Sequence, residues 1–311
     1  MSVPNYEYFV RIVETGSLTK AAEKLYISQP SLSQYLKRLE NSLGVELFDR
    51  GTLPLRLSFA GERYYQYALQ MMKLEENMRR ELQDIKNQES GLLRLGVALW
   101  RGACLLPDVF PYFHEHYPGI RVELMEGRTS QLVSALTNDK IDIAIMNLPA
   151  LMNYSTLTCE TIFEEPILLA APTGHPCVQQ ALANGTYRYS YPTATLDLVK
   201  EIPLILTKPG QNLTVAVSHA LGKYRIEPNI LLETGNLTTA INLVATGAAC
   251  TFVPGEGAKV CIHPGRVTYF LVELPELIWP LAAVFRKDVY LSRISRLFID
   301  TLKILLKIKF E

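Results

Sequence analysis

Apolar residues recur at helical spacing from the first turns of the chain. Tyr6, Phe9, Val10 and Val13 stand at i, i+3, i+4 and i+7, which predicts a first helix that Gly16 ends. A second, short helix is predicted from about Lys20 to Leu25, capped by Thr19, with Ala21 and Ala22 small enough to admit a close neighbour. Tyr26 and Ile27 form a turn, and Ser28 then caps a third helix that carries Pro30 in its first turn. Leu32, Leu36, Leu39 and Leu43 share one face of this helix, while Pro30, Ser33, Gln34 and Lys37 share the other. Beyond Gly44, the run Val45 to Arg50, a turn at Gly51 and Thr52, and the alternating Leu53, Leu55 and Leu57 predict a two-stranded hairpin with Pro54 on its edge.

Ser58 caps the next predicted helix, which runs to about Gln88 and spans roughly 45 Å, too long for a helix inside one compact domain. Tyr64, Ala68, Met71, Met78, Leu82 and Ile85 follow steps of four and three, interrupted at Glu75. Such a seam needs a partner, either a second copy of the helix or the chain's own C-terminal part.

From Leu92 the pattern changes to short apolar runs separated by helical segments: Leu92–Ala98, Ile120–Met125, Ile141–Ile145, Pro166–Ala170, Pro203–Leu206, Ile230–Leu232 and Ala249–Val253. Strands alternating with helices predict an α/β fold with a mostly parallel sheet covered on both faces. Ligands of such sheets bind beyond the carboxyl ends of the strands. The candidates there are Trp100 and Arg101, Thr129 and Ser130, Thr207 and Lys208 with Gln211, Asn236, and Pro254. Thr129, Ser130 and Asn236 serve equally well as helix caps. Arg101, Arg128 and Lys208 favour an anionic small molecule such as a carboxylate.

With 311 residues, 48% of them hydrophobic, the chain has material for two or three domains. Its formal net charge of zero means that any contact with nucleic acid has to be local. Five scattered cysteines without metal-site spacing read as reduced thiols, and no metal or cofactor motif is present. Met1 to Val10 shows no basic leader and no apolar run is long enough to span a bilayer, so the expected location is the cytoplasm, with no membrane partner. An enzyme is disfavoured: His114 and His116 fall on different helix faces, and there is no His-Glu-x-x-His, Gly-x-Ser-x-Gly or phosphate loop. A solute-binding receptor would need an export signal.

The uncharged face of the third helix suits double-stranded DNA, because Ser and Gln can read base edges and Lys suits phosphate. Ser28, Gln29, Pro30, Ser33, Gln34 and Lys37 are the candidate contacts, with Arg50 and Arg56 of the hairpin facing the phosphate backbone. Residues 1 to 58 carry Arg11, Lys20, Lys24, Lys37, Arg38, Arg50 and Arg56 against Glu7, Glu14, Glu23, Glu40, Glu46 and Asp49, so a single head should bind weakly.

The succession Phe9-Val10, Gly16-Ser17-Leu18-Thr19, Ala21-Ala22, Leu25, Ser28-Gln29-Pro30-Ser31-Leu32-Ser33, Leu39-Glu40, Leu43-Gly44-Val45 and Leu47-Phe48-Asp49-Arg50 closely resembles the LysR-type transcriptional regulators. The resemblance implies a winged helix-turn-helix over 1–58, a dimerising linker helix over 59–89, and an effector domain over 90–311 built like a periplasmic binding protein. It divides that domain into one lobe of about 91–163 plus 267–311 and another of about 164–265, with a small-molecule effector between them. It further implies self-association as a dimer or tetramer and allows contact with RNA polymerase. Two positions depart from the family: Gln34 where many members have arginine, and Trp100 where several have a small hydroxyl residue. Peroxide-sensing relatives use cysteines around the loop that here reads Thr207-Lys-Pro-Gly-Gln211, and this loop has none.

Overall fold

A computed structural model describes residues 5–49, 54–86, 90–148, 155–188, 190–255, 257, 261, 263–272 and 274–310. The chain divides into two compact units, 1–86 and 87–311.

The first unit contains α1 (Tyr6–Thr15), α2 (Leu18–Lys24), α3 (Gln29–Leu43), β1 (Phe48–Asp49), β2 (Arg56–Leu57) and α4 (Phe59–Lys86). Gly16 ends α1 in the left-handed conformation, φ +59, which glycine adopts without the steric cost other residues meet. The cap of α2 is Ser17, whose side chain accepts from the Lys20 N–H, rather than Thr19, which lies one residue inside the helix. Neighbouring hydroxyls here leave the choice to the backbone angles, and only Ser17 is extended. Ser28 caps α3 as expected, accepting from the Ser31 N–H at 3.3 Å. Phe9, Ile12, Leu32 and Leu47 form the fully buried centre, with Ala21 and Ala22 letting α2 approach. The hairpin pairs Phe48 with Leu57 and Asp49 with Arg56; its turn lies outside the described residues. Ser58 caps α4, accepting from the Gly61 N–H and donating to the Glu46 carbonyl. Any side chain at Gly61 would collide with the Leu47 carbonyl, since a Cβ would lie 1.9 Å from it.

The second unit opens with β3 (Gly91–Ala98), α5 (Leu99–His116), β4 (Ile120–Gly127), α6 (Thr129–Thr137) and β5 (Ile143–Asn147). The long β6 (Leu157–Pro172) leads to α7 (Pro176–Asn184), β7 (Tyr187–Arg188), β8 (Tyr191–Pro192), α8 (Leu198–Glu201), β9 (Leu204–Thr207), α9 (Asn212–Lys223), β10 (Ile230–Thr234), α10 (Leu237–Val244) and β11 (Cys250–Pro254). It closes with β12 (Val267–Leu271), β13 (Ile278–Arg286) and α11 (Arg293–Phe310). Strands run in the order β10-β9-β11-β6-β13-β5-β3-β4, with β12 also on β6.

Two parallel groups, β4-β3-β5 and β10-β9-β11, follow the sequence expectation. Between them lies an antiparallel pair that the sequence did not suggest. Residues Leu157–Pro166 of β6 pair with β13, and Ile167–Pro172 pair with β11 and β12, so one strand passes from the first half of the fold into the second. In the first half α5 and α11 cover one sheet face and α6 the other. The second half has its own core. Because β12 pairs with β6 and buries Val267, Phe270 and Leu271 in that second core, the chain returns to the first half at β13 instead of at residue 267. Hydropathy alone could not show this, because an apolar strand reads the same whichever sheet it joins.

Candidate functional site

The head presents α3 by packing its opposite face. Leu32 and Leu36 are buried, the Tyr35 hydroxyl donates to the Asn5 carbonyl at 2.8 Å, and the Glu40 carboxylate accepts from the Leu47 N–H at 2.8 Å. These contacts fix α3 against the chain before α1 and against the first hairpin strand. Gln29, Pro30, Gln34 and Lys37 are exposed and Ser33 is half-buried, so the predicted reading face is outward. Ser28 is exposed, but its hydroxyl is engaged in the cap and with the Ser31 hydroxyl at 2.7 Å. Arg56 is exposed on the hairpin, and Arg50 lies outside the described residues.

In the second unit the strand-end candidates fall into two groups. On the first-half side, Ala98 and Gly127 are register partners, so the starts of α5 and α6 emerge side by side and bring Trp100 and Arg101 near Thr129 and Ser130. On the second-half side Thr207 and Thr234 are partners, the Lys208 N–H donates to the Thr234 carbonyl at 2.9 Å, and the Gln211 side chain donates to the Gly235 carbonyl at 3.3 Å. Asn236 follows directly and caps α10, accepting from the Thr238 N–H at 2.9 Å. The two groups meet where the Asn212 side-chain amide donates to the Thr129 hydroxyl at 2.7 Å. The first residues of α6 and α9, one helix from each half, are therefore in direct contact.

Several candidates have other employment. Arg101 was expected to lend positive charge to an effector site, but it is 1% exposed and ion-paired with Glu165, itself 0% exposed. Asn147 completes the cluster, accepting from Arg101 at 2.6 Å and donating to Glu165 at 2.9 Å. A buried guanidinium is tolerated only when matched in this way, and the match removes its charge from the site. The Trp100 ring covers the guanidinium at 4.7 Å and also packs on the second-half core, so it bridges the two halves. Trp100 Nε1 and Arg101 Nε are buried donors without a hydrogen-bond partner. Thr207 is buried with its hydroxyl against that of Thr214 at 2.5 Å, and Pro254 is buried in the pairing with Ile167. Lys208, Ser130 and Arg128 are exposed.

Sequence reasoning missed Asn147, Glu165 and Asn212. Glu165, next to Pro166 and the apolar run Ile167–Ala171, was the legible signal, because a carboxylate adjoining a buried strand needs a cation.

None of the five cysteines forms a disulfide. Burial pushes the Cys250 thiol up to about 12 and raises that of Cys159, which leaves both as poor nucleophiles at neutral pH. Among the described residues no group of three or more His, Cys, Asp or Glu is placed to hold a metal ion, and no helix is long and apolar enough to cross a membrane.

Comparison with known proteins agrees with this division. Residues 5–62 match the bacterial regulatory helix-turn-helix model of the lysR family, and residues 86–306 match the LysR substrate binding domain. The Hca operon transcriptional activator HcaR of Escherichia coli is 30% identical over 256 residues, 82% of each chain. The regulator BenM of Acinetobacter baylyi is 28% identical over 286 residues, 92% of this chain and 90% of BenM. Among solved structures, HinK, a LysR family transcriptional regulator from Pseudomonas aeruginosa, aligns with a TM-score of 0.59 at 26% identity over 97% of both chains. Full-length BenM aligns with a TM-score of 0.59 at 24% identity, covering 99% of this chain and 98% of that one.

Proposed function

Because the chain belongs to the LysR family of DNA-binding transcriptional regulators with an effector domain, we propose that α3 reads operator base edges through Gln29, Ser33 and Gln34 and that an effector seated between α6 and α9 controls the bound state. Pro30 lies against the groove, Lys37 and the hairpin residues Arg50 and Arg56 hold phosphates, and Ser28 acts through the cap it provides.

The observation that carries the effector reading is the 2.7 Å contact between Asn212 and Thr129, which brings two helix N-termini into apposition. Helix starts offer unpaired N–H groups and the positive end of the dipole, so an acceptor-rich ligand such as a small carboxylate suits the space between them. Thr129, Ser130, Lys208 and Asn236 supply its polar contacts, and Trp100 supplies a ring. Arg101, Thr207 and Pro254 support the walls without contributing free charge. A ligand that favours one separation of the halves shifts the population toward it, and with it the way paired heads sit on DNA and how RNA polymerase meets them.

In this reading 1–58 is the DNA-binding head, 59–89 the linker and 90–311 the effector domain, working in the cytoplasm. Its first lobe is about 91–163 with β13 and α11, and its second lobe spans the residues between. Exposed apolar residues on α4 and on the edge strand β10, where Ile230, Leu231 and Leu232 are each more than 40% exposed, suit self-association as a dimer or tetramer.

The test is ligand titration followed by tryptophan fluorescence, since Trp100 and Trp279 are the chain's two indoles. Small carboxylates are expected to change the emission of the wild type and to bind Lys208→Ala at least several-fold more weakly. A carboxylate that changes emission yet leaves the DNA footprint and transcription untouched at saturation would contradict the reading.

A further inference from the structure

Tyr26 occupies the turn between α2 and α3 at φ +55, the left-handed region that bulky residues rarely enter. The ring recovers nothing inside the head. It is 96% exposed, more than any other large hydrophobic side chain among the described residues. The turn closes through the backbone alone, with the Tyr26 N–H donating to the Glu23 carbonyl and the Ile27 N–H to the Ala22 carbonyl. This geometry asks for a residue that tolerates positive φ, such as glycine or asparagine, and gives no internal reason for an aromatic one.

The reason lies in what adjoins the turn. Two residues later Ser28 caps α3, and the exposed Gln29 and Pro30 begin the reading face. A side chain projecting beside the first turn of a recognition helix lies near the rim of the major groove, where the phosphate strand passes. The head is also nearly charge-balanced, so neutral donors matter more to its grip than in a strongly basic domain. Tyrosine is a regular donor to phosphate oxygens.

We propose that Tyr26 is a positioning residue of the DNA interface, its phenol hydroxyl donating a hydrogen bond to a phosphate oxygen flanking the groove that α3 enters. The inference rests on α3 being the recognition helix.

The test uses the full-length protein, a duplex selected by it from a randomised pool, and a scrambled duplex of equal length. Tyr26→Phe keeps the ring and the fold. It is expected to lower affinity for both duplexes about three- to tenfold, the worth of one hydrogen bond. The slope of log affinity against log salt stays unchanged, since no cation that displaces counterions has been removed, whereas Arg56→Ala makes that slope shallower. Tyr26→Gly is expected to raise the melting temperature while weakening binding at least as much, which separates the contact from any structural role. Tyr26→Phe binding both duplexes as tightly as the wild type would overturn the proposal. The parent reading is scored separately: Gln29→Ala with Ser33→Ala has to lose discrimination between the two duplexes, and if it does not, α3 is not the reading helix.

Discussion

Arg101 shows how a single side chain can be chemically suited to a site and still be unavailable to it. Its guanidinium is committed to Glu165 and Asn147 beside the point where β6 passes from one half of the effector domain to the other. Removing one partner leaves the other charged and buried, so Glu165→Ala should lower unfolding stability by about 3–5 kcal/mol. The double change Arg101→Met with Glu165→Leu should recover most of that loss. Urea denaturation reads both variants, and an unaltered midpoint for Glu165→Ala would mean that the pair carries no weight. Glu160 gives a pH-dependent counterpart. Burial pushes its carboxyl up, but hydrogen bonds from Lys303 and Arg296 outweigh this and hold it below the usual range. A carboxylate depressed in the folded state contributes stability that is present above its ordinary pKa and lost as pH falls through the folded value. Glu160→Gln should therefore lose stability at neutral pH and show a shallower acid limb, measured as melting temperature between pH 7 and pH 3.

At the scale of elements, α4 is the informative case. Its seam was legible from spacing, but the first positions of that seam serve the head itself. Tyr64 packs edge-on against Phe9 with ring centroids 4.8 Å apart, and Ala68 is fully buried. Farther along, Met71, Leu74, Met78 and Leu82 are all exposed. Leu74 fills the step at which Glu75 interrupted the predicted seam. At 100° per residue, Tyr67, Met71, Leu74, Met78 and Leu82 form one apolar stripe. Leu74→Glu should therefore reduce the assembly's mass by light scattering without lowering the melting temperature of the head, while Tyr64→Ala should do the reverse. The helices could be read because caps and periodicity are local. Ser17 displaced Thr19 only because backbone angles choose between adjacent hydroxyls. The β6–β13 pairing was not legible, because its register is set by a partner about 120 residues away and Pro280 interrupts the signal. The strand ends were legible as places where polar residues follow apolar runs. Which of those groups are free depended on Glu165, Thr214 and Asn212, neighbours that only the fold supplies.

The whole chain carries a weakly charged reading head and a sensing domain, and in the proposed reading self-association brings a second head to the DNA. In the proposed reading a head with so little net charge draws its affinity from a linked second head, because tethering turns the second encounter into an intramolecular one. Erasing one half-site of a selected duplex should then weaken binding by the full chain roughly 100-fold or more. A loss of only twofold would mean that each head acts alone. In the proposed reading the effector controls the molecule by biasing the separation of the two halves, which the contact between Asn212 and Thr129 spans. All of this depends on α3 being the element that distinguishes one DNA sequence from another. The most direct measurement is equilibrium binding of the full-length protein, wild type and Gln29→Ala with Ser33→Ala, to the selected and scrambled duplexes at one salt concentration. The double variant is expected to melt like the wild type and to bind both duplexes alike; if it still prefers the selected duplex by the wild-type ratio, α3 is not the element that reads the sequence.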